Sequence, residues 1–226
     1  MFAVLKKELK NYLLSPIGYI FVGLFILIFS LLYYVSVFSS NITNFEYVFY
    51  DTATILTFVT PVLTMRMFAE ERRNGTEQLL LTSPRSTVSI VLGKFFAALV
   101  MILITIVFTL IHLGILAYFG TVDFAIAGCT LLGFFLLSAA YISFGMFASS
   151  VTENQIIACV LTIGVFMAMW FLPSISDIFS MFSLISMFNS FPSGVIALDE
   201  VIMFVSFSVL FILLTIIVLQ RRKSVG

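Results

Sequence analysis

Charged residues are scarce in this chain of 226 residues. They make up 10% of the sequence, whereas hydrophobic residues make up 62% and phenylalanine alone occurs 27 times. The mean hydropathy is +1.20. A soluble domain carries about 25% charged residues. A chain of this length cannot hide so much apolar surface from water, so the composition excludes a water-soluble globular protein and predicts that lipid covers it.

Residues that carry chemistry are also few. There is one histidine, His112, and there are two cysteines, Cys129 and Cys159, each within an apolar stretch and outside any C-x-x-C pair. We interpret the cysteines as buried thiols without a disulfide or a metal. No Asp, Glu or second His lies in the middle of a neighbouring apolar run, so His112 is predicted to be a neutral, hydrogen-bonded imidazole at a helix contact. The sequence predicts no catalytic set and no metal site.

Six apolar runs are long enough to cross a bilayer, which takes about 20 residues of helix. They predict transmembrane helices at residues 17–38, 48–68, 95–119, 124–151, 154–175 and 201–220. Open strands cannot span lipid, and a barrel requires an alternation of apolar and polar residues that these runs lack. The predicted fold class is therefore an all-α integral membrane protein with six transmembrane helices, forming a single domain over residues 1–226.

The basic residues form three clusters that charge-free stretches separate. The clusters are Lys6, Lys7 and Lys10; Arg66, Arg72, Arg73, Arg85 and Lys94; and Arg221, Arg222 and Lys223. Short basic loops stay in the cytoplasm. The clusters predict a multi-pass membrane protein with both termini in the cytoplasm. The expected location is the bacterial inner membrane.

The first 16 residues have the pattern of an amphipathic helix. Phe2, Leu5 and Leu9 share one face at helical spacing, whereas Lys6 and Lys10 lie on the other. Such a helix lies in the membrane interface, and Pro16 ends it before the first span. The alternative is an ordinary basic flank that only sets topology.

The segment between the second and third spans, residues 69–90, is rich in charges of both signs. It contains the run EERRNGTEQLLLTSP from Glu70 to Pro84, in which Thr76 could cap a short helix and Pro84 would end it. A short helix of this composition suits docking to a cytoplasmic protein. A solvated loop that only enforces topology is the alternative.

This run resembles the coupling-helix region of ABC-2 type transporter permeases. Two further segments resemble the same family: FPSGVIALDEV at residues 191–201, before the last span, and SSVTENQ at residues 149–155, between spans four and five. The first of these is similar to the gliding-motility and copper-processing branch. The resemblance covers nearly the whole chain in order and spacing.

The resemblance implies a subunit that pairs with a second permease chain, identical or different, and with a cytoplasmic ABC ATPase. It implies an ATPase-coupling region, a membrane-interfacial helix that also touches the ATPase, and a re-entrant segment at residues 176–200 on the outer side. The implied coupling residues are Glu70, Glu71, Arg72, Gly75, Thr76, Glu77, Leu79 and Pro84. The implied interfacial residues are Phe2, Leu5, Lys6, Leu9 and Lys10, and those of the outer motif are Phe191, Gly194, Val195, Leu198 and Asp199.

The sequence contains no G-x-x-x-x-G-K-[ST] motif, since Gly93-Lys94 is followed by Phe95. The chain therefore lacks the loop that cradles nucleotide phosphates, and ATP and Mg²⁺ are expected on the partner ATPase. We expect a transport subunit, in the direction of export, without enzymatic activity, a cofactor of its own or a nucleic-acid partner. Two alternatives remain: a non-transporting component of an envelope or gliding-motility machine, to which an accessory envelope subunit could belong, and a secondary transporter.

Overall fold

The computed structural model describes residues 1–39, 45–78, 86–119, 122–174 and 183–225, and all regular structure in these ranges is helical. Nine α-helices follow one another along the described chain. They are α1 (Phe2–Leu14), α2 (Pro16–Tyr34), α3 (Phe45–Thr64), α4 (Ala69–Arg73), α5 (Thr87–Phe119), α6 (Phe124–Val151), α7 (Gln155–Phe171), α8 (Leu184–Phe188) and α9 (Leu198–Val225). A π-helical turn at Val35–Ser39 and 3₁₀ turns at Leu172–Ser174 and Phe191–Ser193 complete the described elements.

Six of these helices, α2, α3, α5, α6, α7 and α9, are long and apolar enough to cross a membrane. The prediction of an all-α protein with six spanning helices is therefore confirmed. The helix ends differ from the predicted spans, since α5 begins at Thr87 instead of residue 95 and α9 runs on to Val225. At 1.5 Å per residue the 33 residues of α5 extend about 50 Å, well beyond a hydrocarbon layer of about 30 Å. Charged side chains on α5 can therefore belong to a helix that continues outside the lipid.

Helix α6 lies at the centre of the bundle and packs against α3, α5, α7 and α9. Its small residues explain how the neighbours approach so closely. A side chain at Gly145 would overlap Thr64 of α3, and one at Gly133 would overlap the ring of Phe191. The four-residue spacing of Gly145 and Ser149, a sequence signal for close helix contact, thus marks the face that receives α3.

Successive spans run in opposite directions, so the bundle has two distinct ends. We call one the basic end: it carries α1, α4, the start of α5, the turn between α6 and α7 and the last turns of α9. Ion pairs and hydrogen bonds join these elements to each other. All three basic clusters of the sequence contribute to this end.

At the opposite end, α8 and the Phe191–Ser193 turn fold back onto α6. The rings of Phe188 and Phe191 are fully buried there. Gly194 ends the turn with a φ of 79°, a left-handed conformation that favours glycine. Val195, Leu198 and Asp199 are exposed, and the last two lie in the first turn of α9. The described part of the predicted outer segment is thus a set of short turns packed on protein, while residues 175–182 lie outside the described ranges.

Candidate functional site at the basic end

A single hydroxyl group holds the corner between α3 and α4. The Ser149 Oγ of α6 accepts hydrogen bonds from the backbone N–H groups of Phe68 (3.1 Å) and Ala69 (3.0 Å). It also donates to the carbonyl oxygen of Met65 at 2.9 Å. Residues 65–68 form turns, which leave backbone groups without helical partners. Ser149 satisfies three of them in the protein interior and so fixes the direction in which α4 leaves the bundle.

Helix α4 ends in a Schellman motif, a paired hydrogen-bond arrangement that closes a helix. The Thr76 N–H donates to the Glu71 carbonyl at 2.9 Å, and the Gly75 N–H donates to the Arg72 carbonyl at 3.0 Å. Gly75 has a φ of 70°, the left-handed conformation that this motif requires. Arg73, Asn74 and Gly75 are exposed at the resulting tip. The motif therefore presents a short, well-defined protrusion at the basic end.

A buried ion-pair triad lies beneath this protrusion. The Lys94 Nζ of α5 is 2.8 Å from the Glu71 Oε1 of α4 and 3.3 Å from the Glu8 Oε1 of α1. The side chain of Lys94 is only 3% exposed, and those of Glu8 and Glu71 are 11% and 18% exposed. Lys94 Nζ also lies 5.2 Å from the ring centroid of Phe68, within cation–π range. Removing one partner of such a buried pair leaves an uncompensated charge, which costs about 3–5 kcal/mol.

Helix α1 docks onto the bundle through a face that contains Val4, Glu8 and Tyr12, spaced four residues apart. Val4 packs against Gly93, where an added Cβ would approach the Val4 side chain to 2.8 Å. The Tyr12 hydroxyl donates to the Leu63 carbonyl at 3.4 Å. Burial, and then the negative charges of Glu8 and Glu71, raise the pKa of Tyr12 well above its usual value of 10, so the hydroxyl keeps its proton and remains a donor.

The predicted faces of α1 flank this docking surface. Phe2 is 79% exposed and Leu13 is also exposed, while Leu5 and Leu9 are partly buried. Lys6, Lys7 and Lys10 are exposed. Helix α1 therefore has three faces: one on the protein, one apolar and open, and one basic and open.

On its other side, α4 is tied to the remaining spans by arginines. The Arg72 Nη2 lies 2.7 Å from Glu153 Oε1 in the turn between α6 and α7, and Arg72 Nε lies 3.7 Å from Glu77. Glu77 in turn pairs with Arg222 of α9 at 3.1 Å. The Arg72–Glu153 pair is more open than the triad, with side chains 28% and 66% exposed, whereas Glu77 and Arg222 are 13% and 25% exposed.

Arg66 forms a further link at the end of α3. Its Nε lies 3.4 Å from Glu70 and donates to the Gln155 side-chain oxygen of α7 at 3.3 Å. The segment from Arg66 to Glu77 thus contacts α1, α5, α7, α9 and the turn between α6 and α7.

A cavity of about 520 Å³ lies between α1, the start of α2 and α4. Its walls carry three acids and three bases, Lys7, Glu8, Arg66, Glu70, Glu71 and Lys94. Most of these charges are already paired with each other. A lining with balanced, paired charges does not favour a phosphate or a metal ion. Within the described ranges, no group of three or more His, Cys, Asp or Glu residues could hold a metal ion.

The structure brings together many of the predicted coupling residues. Glu70, Glu71, Arg72 and Glu77 form ion pairs, while Gly75 and Thr76 form the Schellman motif. Leu79 and Pro84 lie outside the described residues. Sequence reasoning did not identify Glu8, the hydrogen bonds of Ser149 or the burial of Lys94. One signal was present in the sequence: apolar residues flank Lys94 on both sides, and a charge in such surroundings requires a partner.

The single histidine and the two cysteines lie away from this site. The ring of His112 packs between Phe29 and Tyr33, and its Nε2 is 3.0 Å from the Ser30 hydroxyl of α2, with which it shares a hydrogen bond. This is the helix contact that the sequence predicted. Cys129 is buried, as predicted, whereas Cys159 is only partly buried, and both are free thiols.

A family model described as ABC-2 family transporter protein matches residues 37–219. The chain belongs to the ABC-2 transporter family. The match runs from the π-helical turn after α2 to the last turns of α9, and so includes α4, Lys94 and Ser149. A comparison with curated proteins found no match. As a member of the ABC-2 family, the chain is a multi-pass membrane permease, a transport component of an ABC transporter. Permeases of this family typically act with an ATP-binding subunit.

Proposed function

We propose that this ABC-2 permease is an exporter subunit of the bacterial inner membrane that couples substrate movement to ATP hydrolysis by a separate cytoplasmic ATPase. In this proposal the basic end faces the cytoplasm, which accords with the positive-inside rule. A second permease chain completes the membrane part. The absence of a phosphate-binding motif from the sequence supports a nucleotide site on another polypeptide. The family match favours this function over a non-transporting envelope component.

One observation carries the proposal: an exposed tip is tied through its base to several other elements of the bundle. We define the tip as residues 73–76. Its base, formed by Glu71, Arg72 and Glu77, pairs with α5, α9 and the turn between α6 and α7, and it is linked to α1 through Lys94. A force applied to the tip would therefore reach the basic ends of several spans at once, as the coupling of ATPase closure to a change of access requires.

The N-terminal helix fits the same scheme. Its exposed lysines suit the anionic cytoplasmic surface of a membrane, and its open apolar face suits the headgroup boundary. Because Glu8 pairs with Lys94, and Lys94 pairs with Glu71, a movement of α1 in the membrane plane would be transmitted to α4.

The test uses the purified permease and the ABC ATPase whose gene neighbours that of the permease. Reversal of an exposed tip charge in Arg73→Glu is expected to weaken binding of the ATPase at least about tenfold, which corresponds to about 1.4 kcal/mol. Lys223→Glu is the matched control, because Lys223 is an exposed base on the last turn of α9, outside the tip. Equal binding by both variants and the wild type would show that the tip is not the ATPase contact.

Glu71 and Glu77 are unsuitable for this test. Their carboxylates form ion pairs within the chain, so charge reversal there would disrupt the base of the tip as well as its surface. Loss of ATPase binding in such a variant would not distinguish a contact from a misplaced helix.

A further inference from the structure

The two sides of α4 are held by ion pairs of very different burial. On one side Lys94, 3% exposed, lies between Glu71 and Glu8. On the other, Arg72 pairs with Glu153, which is 66% exposed, and with Glu77, which is 13% exposed and also pairs with Arg222 of α9. The contrast in burial is therefore between Lys94 and the Arg72–Glu153 pair. Solvent-exposed ion pairs contribute little and are screened by salt, whereas a buried pair is costly to break.

We propose that Lys94 is the positioning residue of the permease: it joins α1, α4 and α5 into one rigid unit, while the exposed Arg72–Glu153 pair forms the side on which this unit separates from the turn between α6 and α7. The inference rests on the proposed function, since it names how the ATPase-facing tip is linked to the spans. Lys94 is buried and does not reach the tip surface, so its role is to hold α4 and not to contact the ATPase.

The geometry assigns Lys94 the central place in the triad. One ammonium group serves two carboxylates that belong to two different helices, so the Lys94 side chain links both to α5. Loss of Glu8 should therefore release α1 alone, loss of Glu71 should release α4 alone, and loss of Lys94 should release both. Gly93 beside it gives α1 the close approach to α5 that the Glu8–Lys94 contact requires.

Hydrogen–deuterium exchange of the full-length permease in lipid nanodiscs measures these releases, because local opening controls amide exchange. Peptides of α1 and of residues 69–78 are the two readouts. Glu8→Gln is expected to accelerate exchange in the α1 peptide only, and Glu71→Gln in the 69–78 peptide only. Lys94→Gln should accelerate both by roughly tenfold or more.

Arg72→Gln is the matched control for a lost ion pair on the opposite side of α4. It is expected to accelerate exchange in the 69–78 peptide and in the turn at residues 152–154, and to leave the α1 peptide unchanged. Raising the salt to about 1 M, where the Debye length is about 3 Å, should reproduce the Arg72→Gln pattern in the wild type and not the Lys94→Gln pattern.

A double variant that exchanges two charges of the triad tests whether the charges must occupy these positions or only be paired with each other. Glu71→Lys combined with Lys94→Glu keeps one ammonium and two carboxylates in the triad, so it should restore protection of the 69–78 peptide relative to either single reversal. Failure of this rescue would overturn the assignment, as would accelerated exchange in only one peptide after Lys94→Gln.

If Lys94→Gln does not yield folded protein, Glu8→Gln and Glu71→Gln test the proposal without it. Separate effects of Glu8→Gln and Glu71→Gln support the proposal, and equal effects of each on both peptides overturn it. No ATPase takes part in these measurements, so the positioning role and the proposed function can fail independently.

Discussion

Ser149 offers the sharpest test of how the corner between α3 and α4 is built. Ser149→Ala removes the hydroxyl that accepts from the N–H groups of Phe68 and Ala69 and donates to the Met65 carbonyl. Phe68, Ala69 and Ser149 are each at most 1% exposed, so water cannot replace the lost partner. At about 1 kcal/mol for each hydrogen bond, the expected loss of stability is about 3 kcal/mol.

The neighbouring residue supplies the control. Ser150 is equally buried, yet its hydroxyl only donates to the Phe147 carbonyl of its own helix, at 2.7 Å. Ser150→Ala leaves no backbone N–H group without a partner, and alanine is the better helix former by a few tenths of a kcal/mol. This variant should therefore keep its stability within about 1 kcal/mol of the wild type.

Thermal unfolding in detergent compares the two variants directly. For a protein of this size, about 3 kcal/mol corresponds to a fall of about 6–12 °C in Tm. Amide exchange at Phe68 and Ala69 should rise in Ser149→Ala alone. Equal Tm values for the two variants would refute the reasoning that Ser149, and not general packing of α6, fixes the corner.

Three further predictions concern other contacts. Gly133→Val should separate the Phe191 turn from α6 and lower the Tm, by several degrees, because the added methyl groups overlap the buried ring. Gly75→Ala should cost about 1 kcal/mol, measured as a small fall in Tm, because alanine is strained at a φ of 70°. His112→Phe should keep transport activity and lose about 1 kcal/mol of stability, because phenylalanine retains the ring contacts and lacks only the hydrogen bond to Ser30.

Each of these has an outcome that contradicts it. A Gly133→Ala variant as stable as the wild type would contradict the first prediction, because the alanine Cβ alone would already overlap the Phe191 ring. Asparagine tolerates the left-handed region better than alanine, so the Tm of Gly75→Asn should lie between those of the wild type and Gly75→Ala. A Tm of Gly75→Asn below that of Gly75→Ala would contradict the second prediction. A loss of transport in His112→Phe at unchanged Tm would show that the imidazole has a role in transport.

The spans were predictable because their signal is local. A run of about 20 apolar residues has no stable alternative to a helix in lipid, whatever its neighbours are. The helix ends were less predictable: α5 begins eight residues before the predicted span, because helix formation does not stop where lipid does. The resemblance to the family could also be read from the sequence, because short motifs in a fixed order are recognised without any knowledge of contacts.

The candidate site was predictable only in outline. Mixed charge between the second and third spans pointed to the region around α4, but not to which charges face outward. Glu71 looked like a surface acid, and Lys94 looked like part of a loop. In the structure they form a buried pair between α4 and α5, although the two residues are 23 positions apart in the sequence. Glu8, near the N-terminus, completes the triad. It lies four residues from Val4 and from Tyr12, but only the structure shows that this face of α1 packs on the bundle.

Composition, apolar run length and charge clustering thus determined that this chain is an all-helical membrane protein with six spans, because lipid imposes these features on any sequence it surrounds. Tertiary structure decided the rest. It placed Ser149 at the corner, Gly133 beneath Phe191 and Lys94 between two carboxylates. Each of these contacts joins residues far apart in the chain, and such pairing depends on how helices pack, which no local pattern encodes.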